Sequence, residues 1–202
     1  METIILEGDI PENFIRAGDI AIDTETMGLN LARDRLCLLQ LSFNTKEIFL
    51  IKFNKNYDAP NLKRLLQDGS RVKIFHYARF DIAAIQKFLN IEIENIFCTK
   101  IASRLVRTYT DYHGLKELCR ELLGITLSKA QQSSYWGANT LSKEQRQYAA
   151  FDVAYLHELR NKLTIMLRDE ERYELAMKIC KFLPTRAALD LEGWNDIDIF
   201  AH

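Results

Sequence analysis

Only three prolines and eight glycines interrupt the 202 residues of this chain. With so few breakers, and with no repeat or low-complexity tract, nothing marks a linker. The sequence reads as one continuous domain over residues 1–202. The four cysteines (Cys37, Cys98, Cys119 and Cys180) stand far apart, without a CxxC pair or a Cys/His cluster. That spacing argues against a structural zinc and reads as four small buried hydrophobes in a reducing compartment. No run approaches the ~20 apolar residues of a membrane span. The opening METIILEGDIPENF carries acids where a signal peptide needs bases, so the expectation is a cytoplasmic protein without a membrane partner. A basic surplus is missing too: 27 Lys and Arg face 28 Asp and Glu, for a formal net charge of −1. Proteins that track a long nucleic-acid backbone gain affinity from each phosphate they neutralise. Any nucleic-acid chemistry here must therefore be local, resting on metals and a few cations.

What is present is periodic. Residues 18–24 (GDIAIDT) alternate with strand period, and residues 35–43 (RLCLLQLSF) and 47–51 (EIFLI) are apolar and β-rich. This predicts a small antiparallel-leaning meander. A short amphipathic helix follows Pro60, then a strand at 72–76 (VKIFH), a helix from about Phe80 to Leu89, and a short strand or turn at Phe97 and Cys98. The second half reads as helical. Residues 114–123 (GLKELCRELL) form an amphipathic helix ending at Gly124, and Ser142 with Gln145 forms a capping box. The helix that this box opens carries Tyr148, Asp152, Tyr155, Leu156, Leu159, Leu163 and Met166 on one stripe. The sum is an α/β fold of ribonuclease H-like type, a mixed sheet flanked by helices with a helical C-terminal half.

Three motifs carry chemistry. In Asp23-Thr24-Glu25, residues two apart on a strand put both carboxylates on one face. Asp81, in HYARFD, sits where a strand meets a helix. Tyr148 and Asp152 stand four apart on a helix and share the apolar face. Singly, each has an ordinary reading: a solvated strand end, an acid at a helix N-terminus, and a structural aspartate bonded to a neighbouring helix. Together they are the set that metal-assisted phosphodiester hydrolysis uses. Two divalent cations need hard oxygen ligands, and four carboxylates roughly balance their charge. A tyrosine, with its pKa near 10, positions the attacking water better than it deprotonates it.

At these residues the chain resembles a known group. DTE at 23–25, Phe80-Asp81 and YxxxD at 148–152 are similar to the three motifs of the DEDD exonuclease superfamily. Gln147 stands where the histidine subclass has its histidine, so Tyr148 points to the tyrosine subclass, which includes ribonuclease D. The stretches KIFHYARFD, FCTKIASRLVRTYTDYHGLKELC, QQSSYW, LSKEQRQYAAFDVAYLH and FLPTRAALDLEGWNDIDIFAH resemble the nano-RNase C family over nearly the whole chain. The resemblance implies a 3′→5′ exonuclease that hydrolyses very short single-stranded RNA, dinucleotides above all, with two Mg²⁺ or Mn²⁺ ions, in a homo-oligomer that forms an octameric ring. It implies Asp23, Glu25, Asp81 and Asp152 as metal ligands and Tyr148 as the catalytic tyrosine. It also makes Leu29 the wedge that sits against the bases, beside its ordinary reading as a loop-packing leucine.

Further candidates for substrate contact are Thr24, His76, Tyr77, Arg79, Arg104, Tyr112, His113 and Trp136, with Lys100, Arg107 and Lys116 as further cations near the cleft. Each has a plain alternative as a solvated helix face, a loop or capping residue, or packing. Tyr135 stands where relatives carry an aspartate, outside the metal quartet. The segment after Pro184 carries Leu189, Leu191, Trp194, Ile197, Ile199 and Phe200. It must cover something, either its own core or, as the family ring implies, a neighbouring subunit.

Overall fold

A computed structural model of the chain describes residues 2–43, 47–126 and 134–201. The first three residues (131–133) of the QQSSYW stretch lie outside them. The described residues form a mixed sheet from β1 (Glu2–Glu7), β2 (Ile20–Thr26), β3 (Leu36–Ser42), β4 (Glu47–Lys52), β5 (Lys73–Phe75) and β6 (Ile96–Cys98). The order is β1-β4-β3-β2-β5-β6. β2, β3 and β4 make the expected antiparallel meander, while β1 joins β4, β5 joins β2 and β6 joins β5, each in parallel. β1 was not expected from the sequence. Its residues are exposed or half-buried, as an edge strand's are, and ETIILE lacks the buried face that marks β2 to β4.

The helices are α1 (Pro60–Gln67), α2 (Ala78–Leu89), α3 (Thr99–Val106), α4 (Leu115–Leu118), α5 (Lys143–Ala154), α6 (Leu156–Asp169) and α7 (Tyr173–Leu191). They cover both sides of the sheet, which is why every residue of β3 is buried. One core holds Ile20, Ile22, Leu39 and Phe49 against Leu62 and Leu66 of α1, Ile82 and Ile85 of α2 and Leu183 of α7. The other holds Ala21, Leu38, Leu50 and Ile74 against Ala149 and Val153 of α5 and Leu159 and Leu163 of α6. No described helix is long and apolar enough to cross a membrane.

Two helical expectations change. The stripe from Tyr148 to Met166 is not one helix: Tyr155, at φ −112° and ψ 1°, separates α5 from α6. α5 then lies across β2, β3 and β4, and α6 packs on α3. The 3.6-residue period survives the break, so periodicity alone could not reveal it. Downstream of Gly114, α4 widens into a π-helical turn, Cys119–Leu123, before Gly124 closes it in the left-handed region at φ 71°. The capping box forms as read: Gln145 N donates to Ser142 Oγ at 3.2 Å, and Ser142 N to Gln145 Oε1 at 2.9 Å.

Candidate active site

β2 and β5 run parallel, but their pairing covers only Ile20 and Ala21 of β2. The rest of β2 runs on past β5, at the carboxyl edge where parallel strands open a crevice. There Asp23 and Glu25 share the face of Ala21, toward α5, while Thr24 shares the face of Ile22, toward α2. α2 begins on Tyr77, a bulky residue in the left-handed region at φ 67° and ψ 42°. Such strain persists where the surroundings over-determine it, characteristically at functional sites. The first turn that follows carries Asp81, only 4% exposed, and its Oδ1 accepts a bond from Thr24 Oγ1 at 2.6 Å. From the opposite side α5 brings Asp152, which accepts the Tyr148 hydroxyl one turn earlier.

One carboxylate oxygen each from Asp23, Glu25 and Asp152 lies within 4.8 Å of the others. Asp81 stands outside that mutual set, engaged by Thr24, yet its charge bears on both Asp23 and Glu25. Crowding the acids is costly. Burial first, and then Asp81, Asp152 and Glu25, hold the Asp23 carboxyl well above its ordinary range. Burial and the Asp152 and Asp81 charges push Glu25 up to about 9. Burial lifts Asp81 to about 7 against the pull of its Thr24 bond. Asp152 is raised by burial to about 7, opposed by the Lys116 ammonium and the Tyr148 bond. Such a cluster is stable either partly protonated or around cations. Hard carboxylate oxygens at this spacing fit a hard divalent ion.

The cleft around the acids measures about 1170 Å³ and is lined, among others, by Thr24, Leu29, His76, Tyr77, Lys100, Lys116, Trp136 and Tyr148. His76 is held neutral, its pKa lowered to about 3 by burial and by Lys100. Thr99 Oγ1 donates to the Phe75 carbonyl at 3.1 Å and sits 2.9 Å from His76 Nδ1. Its oxygen therefore accepts the Nδ1 proton, leaving Nε2 as an acceptor. Lys100 Nζ sits 4.3 Å from the Tyr77 ring centroid. Leu29 is 86% exposed at the rim of the cleft, which argues against its reading as a loop-packing residue.

Other candidates land elsewhere. Arg79 forms a two-pronged pair with Asp190 of α7 (2.5 and 2.6 Å) and caps the Asn195 carbonyl, so it anchors the C-terminal segment rather than lining the cleft. Arg107 is fully buried, pairing with Glu121 and donating to Ser103 and the Tyr112 carbonyl. Arg104 and Tyr112 are exposed outside the cleft, and His113 bonds Ser103 Oγ at 2.8 Å. Trp136 reaches the cleft but is 4% exposed and packs on Tyr148 with ring centroids 6.1 Å apart. It braces the phenol and has no open face to offer a base. Tyr135 lies outside the cleft, its carbonyl accepting from Gln145 Nε2. Sequence reasoning missed Met27 and Phe151 on the walls, where Phe80 and Gln147 entered it only as motif positions, and it missed Gln40, which donates to Asp23 Oδ2 at 3.3 Å from the adjacent strand.

The chain is similar to known proteins over most or all of its length. The family described as 3′-5′ exonuclease matches residues 3–168. NrnC of Brucella melitensis bound to pGG is 47% identical, with a TM-score of 0.95 over 100% of this chain and 99% of that one. The same protein with bound Mg²⁺ superposes with a TM-score of 0.93, at 47% identity over the full length of both chains. Among curated relatives, DNA polymerase I of Aquifex aeolicus is 34% identical over 78% of this chain. Ribonuclease D of Gluconacetobacter diazotrophicus is 30% identical over 82% of it. The chain spans only 26% and 42% of those two proteins. The matched region contains both strand carboxylates, Asp81 and the Tyr148–Asp152 pair. This chain belongs to the 3′-5′ exonuclease family.

Proposed function

We propose that the chain is a metal-dependent 3′→5′ exoribonuclease that hydrolyses very short single-stranded RNA, dinucleotides above all, to nucleoside monophosphates. The observation that carries it is the convergence of Asp23, Glu25 and Asp152 within 4.8 Å, with Asp81 beside them. Four ionised carboxylates match the charge of two divalent cations, Mg²⁺ or Mn²⁺, which Asp23, Glu25, Asp81 and Asp152 would hold. Bound there, such ions supply an activated water and stabilise charge on the departing 3′ oxygen.

The chain's own residues do the rest. Burial and the neighbouring acids push the Tyr148 phenol above its ordinary pKa in the metal-free protein, and with an ordinary value near 10 a tyrosine positions a water by hydrogen bonding better than it deprotonates one. Leu29 offers an exposed apolar edge at the rim for a base to lie against. Lys100 and Lys116 are cations on the cleft walls within reach of phosphate. Removing the phenol's hydroxyl in Tyr148→Phe is expected to slow turnover by roughly 100-fold, the low end of what a positioned proton donor contributes. Mn²⁺ affinity, read by calorimetry, should stay within a few-fold of native. A Phe variant with native turnover would remove Tyr148 from the chemistry.

Short substrates are supported by the net charge of −1 and by the end-to-end match to a nuclease seen with pGG. The kinship with ribonuclease D sets the competing reading, trimming of structured RNA 3′ ends. Product analysis on RNAs of two to seven nucleotides and on a tRNA precursor, with and without EDTA, separates the two. The dinucleotide should be consumed fastest and EDTA should stop it; faster processing of the precursor would overturn the substrate choice.

The same reading treats the chain as one exonuclease domain working in the cytoplasm, which its four free, buried cysteines support. It also includes a homo-oligomer, an octameric ring by resemblance. Within residues 184–202, the part up to Leu191 belongs to α7, with Ala187 in the core. Beyond it Trp194, Ile197, Ile199 and Phe200 are 41–78% exposed, and this is the stretch that would meet a second copy.

A further inference from the structure

β3 is buried along its whole length, and its residues are apolar except at Gln40 and Ser42. Gln40 is fully buried and lies in register with Asp23 on one side and Leu50 on the other. It shares a face with Leu38, in the core that α5 closes with Ala149 and Val153. Its Nε2 donates to Asp23 Oδ2 at 3.3 Å, while its Oε1 finds no hydrogen-bond partner among the described residues. This amide orientation is the one the ionised, metal-binding form of Asp23 requires: turned over, the amide oxygen would face a carboxylate. A buried, half-satisfied amide costs stability that a methionine or leucine of the same size would not. The fold does not require this side chain.

We infer that Gln40 is a positioning residue for Asp23, kept at the expense of core stability. It clasps one carboxylate oxygen of Asp23, Oδ2, and so fixes the orientation of the group. Partners behind metal ligands set ligand orientation in this way and are worth 10- to 100-fold in affinity. A neutral donor suits the position, because a lysine or arginine there would neutralise the carboxylate that the ion needs. Thr24 does the same for Asp81 from the other face of the sheet. The inference rests on the proposed reading that these acids take divalent cations.

The test is a Mn²⁺ titration followed by electron paramagnetic resonance, paired with thermal unfolding of the metal-free protein. Gln40→Met should bind Mn²⁺ about 10-fold more weakly than the native protein, yet unfold at the same or a higher temperature. In an Asp23→Asn background, Gln40→Met should change Mn²⁺ affinity less than about twofold, since its effect passes through Asp23. Native affinity in Gln40→Met overturns the inference. So does a lower unfolding temperature accompanied by the same loss of affinity in the Asp23→Asn background, the signature of a merely structural role. A native protein that binds no Mn²⁺ overturns the functional reading itself, and this inference with it.

Discussion

Replacing Asp23 by asparagine is expected to lower hydrolysis of a dinucleotide by roughly 1000-fold or more. A metal ion contributes several kcal/mol of transition-state stabilisation, and each ~1.4 kcal/mol is tenfold in rate. The shape of the side chain is kept, but one of three mutually close ligand oxygens loses its charge. The fold should survive. With one acid fewer to repel Glu25, the metal-free variant should unfold at a temperature no lower than native at pH 8. Steady-state turnover and a melting curve on the same sample decide both points. Turnover within tenfold of native would take Asp23 out of the ligand set.

The second large effect is on stability against pH. The folded-state pKa of Asp23, Glu25, Asp81 and Asp152 is raised above the unfolded value, so folding binds protons at these sites. Their contribution is complete below the ordinary carboxylate range near 4. It is lost as pH rises through about 7 for Asp81 and Asp152 and about 9 for Glu25. Asp81 and Asp152, at about 7, have shed all but about 1 kcal/mol each by pH 6, whereas Glu25, at about 9, sheds most of its rise, on the order of 4 kcal/mol, between pH 6 and 9. For a chain of this size that is about 10 °C in Tm. The metal-free protein should therefore melt about 10 °C lower at pH 9 than at pH 6. Toward lower pH the paired acids Asp68 and Glu121, whose carboxyls sit below their usual range, act in the opposite direction. Divalent metal reverses the trend, because it binds the ionised cluster and competes with protons. Millimolar Mg²⁺ should raise Tm strongly at pH 9 and little at pH 5. A Tm that is flat from pH 6 to 9 without metal would show that the acids are not crowded as described.

The site was legible in the sequence wherever one local period determines direction. Strand alternation placed Asp23 and Glu25 on one face, and helical spacing placed Tyr148 under Asp152. What pairs across the fold was not legible. Arg79 reads as a free cation until Asp190, 111 residues away, is seen to occupy it. Arg107 reads as a surface residue until the π-helical turn is seen to carry its partner, Glu121. Gln40 passes for one polar residue in an apolar strand, and only the register of β2 against β3 sets it beside a ligand carboxylate. The sheet edge at β1 and the break at Tyr155 were hidden for the same reason, since each is decided by packing partners rather than by local pattern.

The most direct measurement of the central claim is a crystal structure of the protein soaked in Mn²⁺, with the ions located by anomalous scattering. Density bounded by Asp23, Glu25 and Asp152, and reaching Asp81, is the predicted result. Mn²⁺ bound only elsewhere at millimolar concentration, with the four acids left bare, would contradict it.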